Sequence, residues 1–106
     1  MTVKNRPELG CDVFQTTAPV LRVLGHPERL RIVDALMRDE ITVAQLAERL
    51  ELAPNAVSQH LSMMLAHGVL ARRREGRCVY YRVEHPAARS LLQCMWRNVP
   101  QKSARK

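Results

Sequence analysis

The fold is decided by residues 42–67, which read TVAQLAERLELAPNAVSQHLSMMLAH. Thr42 is a good N-cap, and the apolar residues after it recur at i, i+3, i+4 and i+7, which predicts a helix as far as Glu51. Pro54 can open a second helix, in which Val57, Leu61, Met64 and Leu65 form the apolar stripe, and Gly68 can end it. Because only about three residues join these helices and each has an apolar stripe, the stretch predicts a helix-turn-helix.

The second of these helices also has a polar face without charge. Its members lie opposite the apolar stripe, again at i, i+3, i+4 and i+7: Asn55, Ser58, Gln59 and Ser62. A solvated face usually carries Glu, Lys and Arg, whereas Asn, Gln and Ser can donate to and accept from base edges in the major groove of DNA. The pattern therefore predicts a helix that reads base pairs, with a neutral solvated face as the alternative.

A strand pattern follows the two helices. Aromatic and β-branched residues surround the turn Glu75-Gly76-Arg77, so residues 69–83 predict a β-hairpin. This segment is rich in arginine, at Arg72, Arg73, Arg74 and Arg77. Arg suits phosphate because its planar fork donates two hydrogen bonds at once. These side chains are predicted to hold DNA phosphates beside the groove, which positions a reading helix without specifying sequence.

Three further helices complete the predicted order α-α-α-α-β-β-α. Pro27 can open one and Pro86 another, and apolar residues keep helical spacing after each. The first helix is predicted at residues 17–24, because Pro19 fits a first turn but forbids an unbroken helix through the residues before it. The predicted fold class is mainly α with a small β-hairpin wing.

This pattern predicts one domain at residues 16–99. An N-terminal arm or short helix at residues 1–15 is expected before it, and a basic flexible tail at residues 100–106 after it. The length of 106 residues leaves room for one core.

The composition favours a polyanion as partner. The chain carries 17 Lys plus Arg against 10 Asp plus Glu, a net charge of +7. Only four residues are aromatic, at Phe14, Tyr80, Tyr81 and Trp96, which disfavours binding of single strands by stacking. No long apolar run or signal-peptide stretch is present, and no nucleophile is grouped with a base. We therefore expect a cytoplasmic protein that is not an enzyme and has no membrane partner.

Four segments together resemble the ArsR/SmtB family of winged helix-turn-helix repressors. They read LGHPERLRIV at residues 24–33, VAQLA at 43–47, NAVSQHL at 55–61 and GRCVYYRV at 76–83. The resemblance covers about residues 18–99 in the family's order and spacing. It implies a homodimer built on the first and last helices, a recognition helix at residues 54–67 and a wing formed by the hairpin.

The resemblance also implies roles for single residues. Base contacts carry over onto Asn55, Ser58 and Gln59, and backbone contacts onto Arg74 and Arg77. His60 matches a common family residue and is expected to contact phosphate or to pack. The expected dimer contacts are apolar residues of the outer helices, namely Phe14, Leu21, Leu91, Leu92, Met95 and Val99. One departure is Ala53, where the family commonly has Ser, so an N-cap and one possible phosphate contact are lost.

The metal sites familiar in the family are not expected here. The Cys-x-Cys pair of the arsenic or cadmium type falls on residues 42–44, which read TVA. The zinc-type positions fall on His85, Ala87, Asn98 and Gln101, of which at most one could bind, whereas zinc needs about four ligands. His26 and His85 each precede a proline and are interpreted as helix-junction residues. The sequence thus predicts no metal and no cofactor.

Two cysteines leave a sensing hypothesis open. Cys11 and Cys94 belong to the elements that the family packs together at its dimer interface. They could approach each other and sense oxidants, persulfides or a thiophilic metalloid. The alternative is that Cys94 is a small buried hydrophobe and Cys11 an unpaired residue, since free Cys is often simply buried. Cys78 on the wing is interpreted as structural, and any inducer is unknown.

The sequence therefore favours a homodimeric repressor that binds a pseudo-palindromic site in double-stranded DNA. The competing hypothesis is a winged-helix dimerisation or protein-interaction module without DNA-binding activity. The uncharged polar face and the arginine-rich wing argue against that alternative.

Overall fold

The computed structural model describes residues 5–100, which form five helices and one two-stranded sheet in the predicted order. The helices are α1 (Cys11–Leu24), α2 (Pro27–Arg38), α3 (Val43–Leu50), α4 (Pro54–Ala66) and α5 (Pro86–Asn98), and the strands are β1 (Leu70–Glu75) and β2 (Cys78–Val83). The predicted winged helix-turn-helix is confirmed. Apart from Pro100, the predicted tail at residues 100–106 lies outside the described residues.

The helix-turn-helix begins with the predicted cap. Thr42 Oγ1 accepts from the Gln45 amide at 3.2 Å, and the Gln45 side chain accepts from the Thr42 amide at 2.9 Å. This reciprocal pair is a capping box, which satisfies two amides that the helix itself leaves unpaired. At the other end Glu51 takes a left-handed conformation with φ 58°, which turns the chain toward α4.

Two histidines start helices, as the junction interpretation expects. Nδ1 of His26 accepts from the Glu28 amide at 3.1 Å, and Nδ1 of His85 accepts from the Ala87 amide at 3.0 Å. Each imidazole thus takes the place of the Asn, Asp or Ser side chain that more often caps a helix.

The first helix corrects the prediction. It begins at Cys11 rather than at Thr17, and Pro19 lies inside it. Proline removes only its own amide bond to the carbonyl four residues earlier, here that of Gln15, and Gln15 is exposed, so water can bind that oxygen. The helix therefore continues through the boundary predicted between residues 15 and 16.

The core surrounds α2, which packs against the four other helices and β2. Its Ile32 and Val33 are completely buried. Leu92 of α5 is only 1% exposed and belongs to the same core, so its assignment as a dimer contact is wrong: its side chain is already covered by its own chain. Leu91 is half-buried and packs on the core edge.

The wing is an antiparallel hairpin whose base is buried and whose tip is exposed. Leu70 pairs with Val83 at the base, and both are buried. Gly76 supplies the positive φ of 61° that the turn requires. Tyr80 of β2 also forms a bridge with Thr42, the residue that caps α3. The hairpin is thereby joined through its backbone to the start of the helix-turn-helix.

Candidate DNA interface

The polar face of α4 points to solvent. Val57, Leu61 and Met64 are buried and hold the helix against the core. The four predicted base-reading residues are all exposed on the remaining surface, namely Asn55, Ser58, Gln59 and Ser62. The structure thus brings them together on one accessible helix face of the size that a major groove admits.

The first turn of α4 has the departure noted in the sequence. Ala53 stands at the N-cap in an extended conformation, and its methyl group cannot accept a hydrogen bond. Pro54 follows at the first helical position, where its missing amide costs nothing. The amides of this turn therefore depend on water or on a ligand for their acceptors.

His60 lies on the inner side of this face. It is half-buried, and its Nδ1 lies 3.2 Å from Nε of Arg29 in α2, which donates to it. The ring also meets His26 edge-on, with 4.8 Å between the ring centroids. Burial, helped by nearby His26 and Arg29 and opposed by Glu28, lowers the pKa of His60 from its usual value. His60 is a packing residue in this structure, and its predicted phosphate contact stays a prediction.

The arginines of the wing divide into two groups. Side chains alternate between the faces of a strand, so Arg72 and Arg74 share one face of β1 and Arg73 has the other. Arg72, Arg74 and the turn residue Arg77 are exposed. Their guanidinium groups are accessible to a ligand, and their contact with DNA phosphates stays a prediction.

Arg73 has protein partners instead. Its Nη1 donates to Glu40 at 2.6 Å, and its guanidinium lies 4.8 Å from the centre of the Tyr80 ring. Its Nε is also 3.2 Å from a Glu75 carboxylate oxygen, an ion pair without hydrogen-bond geometry. The sequence grouped Arg73 with the phosphate-binding arginines because it could not show the carboxylates that neutralise it.

Arg29 is the residue of this region that the sequence interpretation missed. It lies within the segment HPERL at residues 26–30, which indicated a helix start and part of the family resemblance but no role for this arginine. In the structure Arg29 and His60 line a shallow concavity beside Ser58, Gln59 and Ser62. The signal that could have found it is an arginine in the first turn of α2, three residues after the half-buried His26.

The residues considered for sensing occupy different surroundings. Among residues 5–100, no three His, Cys, Asp or Glu side chains form a group that could hold a metal ion. His85 caps α5, while Gln101 lies outside the described residues. Cys11, Cys78 and Cys94 are all exposed free thiols, so the buried alternative for Cys94 is wrong. Cys94 Sγ is 3.4 Å from the Asn98 side-chain nitrogen.

The expected dimer surface is largely exposed. Phe14 and Leu21 of α1 are 58% and 50% exposed, and Met95 and Val99 at the end of α5 are 40% and 44% exposed. Since α1 packs on α5, these apolar side chains belong to neighbouring elements. In the part of the chain that the structure describes, no helix has the length and apolar character needed to cross a bilayer.

Comparison with known proteins agrees with this geometry. A helix-turn-helix domain model matches residues 24–73. The transcriptional repressor PagR of Bacillus anthracis is 34% identical over 83 residues, which are 77% of this chain and 83% of PagR. The transcriptional activator HlyU of Vibrio cholerae is 30% identical over 78 residues, 74% of this chain and 72% of HlyU. The chain spans 64% to 83% of the length of the first three curated relatives it matches.

Solved structures give the same result. The crystal structure of PagR superposes with a TM-score of 0.75 at 31% identity, covering 81% of this chain and 99% of PagR. HlyU superposes with a TM-score of 0.78 at 26% identity, covering 85% and 98% of the two chains. A Mycobacterium bovis domain described as a homodimeric winged helix-turn-helix matches in fold, with a TM-score of 0.72 at 22% identity and coverage of 94% and 95%.

The fold defines a winged helix-turn-helix DNA-binding protein, and the curated relatives are named as transcriptional regulators rather than enzymes. The chain belongs to the ArsR/SmtB family of transcriptional regulators.

Proposed function

We propose that this protein is a homodimeric repressor that occludes a promoter by binding a pseudo-palindromic operator. The observation that carries the proposal is the uncharged, exposed face of α4 beside the arginines of the wing. Asn55, Ser58, Gln59 and Ser62 would read base edges, and Arg72, Arg74 and Arg77 would hold the flanking phosphates.

The proposed dimer joins the α1 and α5 surfaces of two copies. Exposed apolar side chains on both helices support it, because large apolar patches on small proteins mark interaction surfaces. A two-fold dimer presents two copies of α4, so the half-sites should lie about 10 to 10.5 base pairs apart, or a multiple of this.

Binding to the region upstream of the protein's own gene tests the proposal. We expect a footprint with two-fold symmetry on that duplex and much weaker binding to a scrambled duplex of the same composition. Affinity should fall steeply with salt, with a log-log slope of roughly −0.9 per phosphate neutralised. Equal binding to both duplexes would contradict sequence-specific recognition, and no binding to either would favour a protein-interaction module.

A thiol-regulated repressor is a finer form of this proposal. Cys11 and Cys94 are exposed on two helices that pack together, so an oxidant can reach both. Mild peroxide would oxidise the two thiols to a disulfide and be reduced to water. Mass spectrometry should then find the Cys11–Cys94 linkage in the wild type but not in Cys94→Ser, with operator affinity changed only in the wild type. An unlinked pair with unchanged affinity would reject thiol sensing.

A further inference from the structure

One guanidinium links three helices on the inner side of the proposed DNA interface. Arg29 belongs to α2, its Nη1 donates to the carbonyl of Val23 near the end of α1 at 3.1 Å, and its Nε donates to Nδ1 of His60 in α4 at 3.2 Å. Both bonds are partly buried, so water competes with them less than at the surface. The helix that carries the polar reading face is thereby tied to the helix that carries the exposed apolar surface.

The bond to His60 requires a neutral ring. An imidazole that accepts at Nδ1 carries its proton on Nε2, whereas a protonated imidazole has only donors. Nδ1 of His26 likewise carries no proton in this structure, since it accepts a hydrogen bond from the Glu28 amide. The two rings lie in edge contact with 4.8 Å between centroids, so a charge on His60 would face His26 as well as Arg29.

We propose that Arg29 is a positioning residue for DNA recognition: it holds α4 to α1 and α2 through Nδ1 of His60, and protonation of His60 releases this hold. The proposal rests on the proposed function, because it assigns a mechanism to the same reading helix. His60 then acts through its inward nitrogen and not as a contact to the DNA backbone.

The charged groups around His60 determine the direction of the acid effect. The charged or titratable groups near the ring are His26, Arg29 and Glu28, which lie at the start of α2. The end of α1 contributes only the uncharged carbonyl of Val23, which accepts from Arg29. The neighbouring polar residues of α4 carry no charge. A proton on Nδ1 would point at an N–H of Arg29 and add a second cation beside it. Glu28 opposes this only in part, because the balance of burial and charge lowers the pKa of His60.

The pH window follows from that direction. A histidine whose pKa is lowered in the folded protein contributes a bond that is present at neutral pH. That bond is lost as the pH falls from the ordinary value of 6.5 through the lowered value. Operator affinity should weaken in the same range.

Two substitutions separate the inward nitrogen from the outward one. Asn places its side-chain oxygen near the position of Nδ1, so His60→Asn keeps an acceptor for Arg29 but cannot titrate. Gln reaches the position of Nε2, so His60→Gln keeps an outward donor and loses the inward acceptor. We expect His60→Asn to bind the operator like the wild type at about pH 7.5 and to bind roughly fivefold tighter than the wild type at about pH 5.5. His60→Gln should already be roughly fivefold weaker at the higher pH.

A second pair of variants controls for charge. Arg29→Gln and Arg22→Gln each remove one positive charge, but Arg22 is an exposed residue of α1 and not a member of the Arg29–His60 pair. We expect Arg29→Gln to weaken binding roughly fivefold beyond Arg22→Gln and to lose the acid response. Full affinity of His60→Gln with weak binding of His60→Asn would overturn the proposal in favour of a phosphate contact. Equal acid responses of wild type and His60→Asn would also overturn it.

A measurement without DNA keeps this proposal distinct from the proposed function. Hydrogen exchange of the α4 amides, corrected for the intrinsic pH dependence of exchange, measures the hold directly. In the wild type, protection of these amides should decrease as the pH is lowered, and in His60→Asn it should not. The amides of α3 serve as the internal reference. If the wild type binds no operator but α4 behaves in this way, the proposed function fails and the hold on α4 stands. If α4 protection is the same in both proteins at both pH values, the hold is wrong whatever DNA binding shows.

Discussion

Trp96 of α5 donates its indole N–H to the carboxylate of Asp34 in α2, across a distance of 2.7 Å. Arg38 completes the group, because it pairs with Asp34 at 3.1 Å and its guanidinium lies 5.1 Å from the centre of the Trp96 ring. The last helix is thereby fastened to the central helix by an aromatic residue that is itself 39% exposed.

Trp96→Phe should lower the free energy of unfolding by about 1 to 2 kcal/mol. An aromatic ring, smaller than the indole, remains beside Arg38, while a hydrogen bond to a charged acceptor is lost, which is worth about that much. Urea denaturation followed by circular dichroism measures the change. Asp34→Asn keeps an acceptor for the indole and should cost less, so a larger loss in Asp34→Asn would assign the stability to the Arg38 ion pair instead.

Arg74→Ala should weaken binding to every DNA sequence nearly equally and reduce the salt slope by about 0.9, because one phosphate contact is removed. Arg73→Ala is the matched control, since it lies one residue away but is already paired with Glu40. Its salt slope should stay close to that of the wild type. Titrations of fluorescent duplexes at several salt concentrations give both slopes, and equal losses would show that Arg73 also reaches DNA.

Gln59→Ala should relax the preference at one base pair of each half-site, at a cost of about 1 to 3 kcal/mol for the preferred base. A panel of single-base operator variants measures the preference. Gln93→Ala removes the same exposed amide from α5 and should leave the preference unchanged. If the sequence preference is unchanged in Gln59→Ala, Gln59 does not take part in base recognition.

Ala53→Ser should stabilise the protein by about 1 kcal/mol, because the backbone at this position is already extended and the new hydroxyl can accept from the first turn of α4. The same change at Ala44, which is exposed inside α3, should give no such gain. Thermal denaturation compares the two. A gain at both positions would mean that capping is not its cause.

Phe14→Glu should shift the proposed dimer toward monomer, because it places a charge at the exposed aromatic side chain of α1. Sedimentation velocity at several concentrations reads the change directly. Gln15→Glu adds the same charge at the next exposed position and should dissociate the dimer much less. A dimer that persists in Phe14→Glu would move the interface away from this face.

The helix order was predictable because its signals are local. A proline at the first helical position, the Thr42 cap and apolar spacing each act within one or two turns, and they place four of the five helices. The hairpin was predictable for the same reason, since Gly76 and the strand formers of β2 stand within a few residues. The exposed face of α4 follows directly from its helical period.

The contacts that the sequence could not predict join distant residues. Arg73 and Glu40 are 33 residues apart and Arg29 and His60 are 31 apart, so no local pattern pairs them. Leu91 and Leu92 are adjacent in α5, and the neighbouring helices determine which of them is buried in the core. The sequence does not show those neighbours, so Leu92 was wrongly assigned to the dimer surface. Pro19 shows the opposite error. The rule that proline interrupts a helix was applied to α1, although the carbonyl left unpaired, that of Gln15, is exposed and can bind water at little cost in stability.

The histidine caps limit what the imidazoles of this protein can do. His26 and His85 each give the Nδ1 lone pair to a backbone amide at the start of a helix. A metal ion that took Nδ1 of either ring would have to displace that amide, so coordination there would remove the cap from the first turn of α2 or α5. Two of the four histidines in the chain thus cap helices through Nδ1, and metal chelation at either one would be measured as a loss of helix stability.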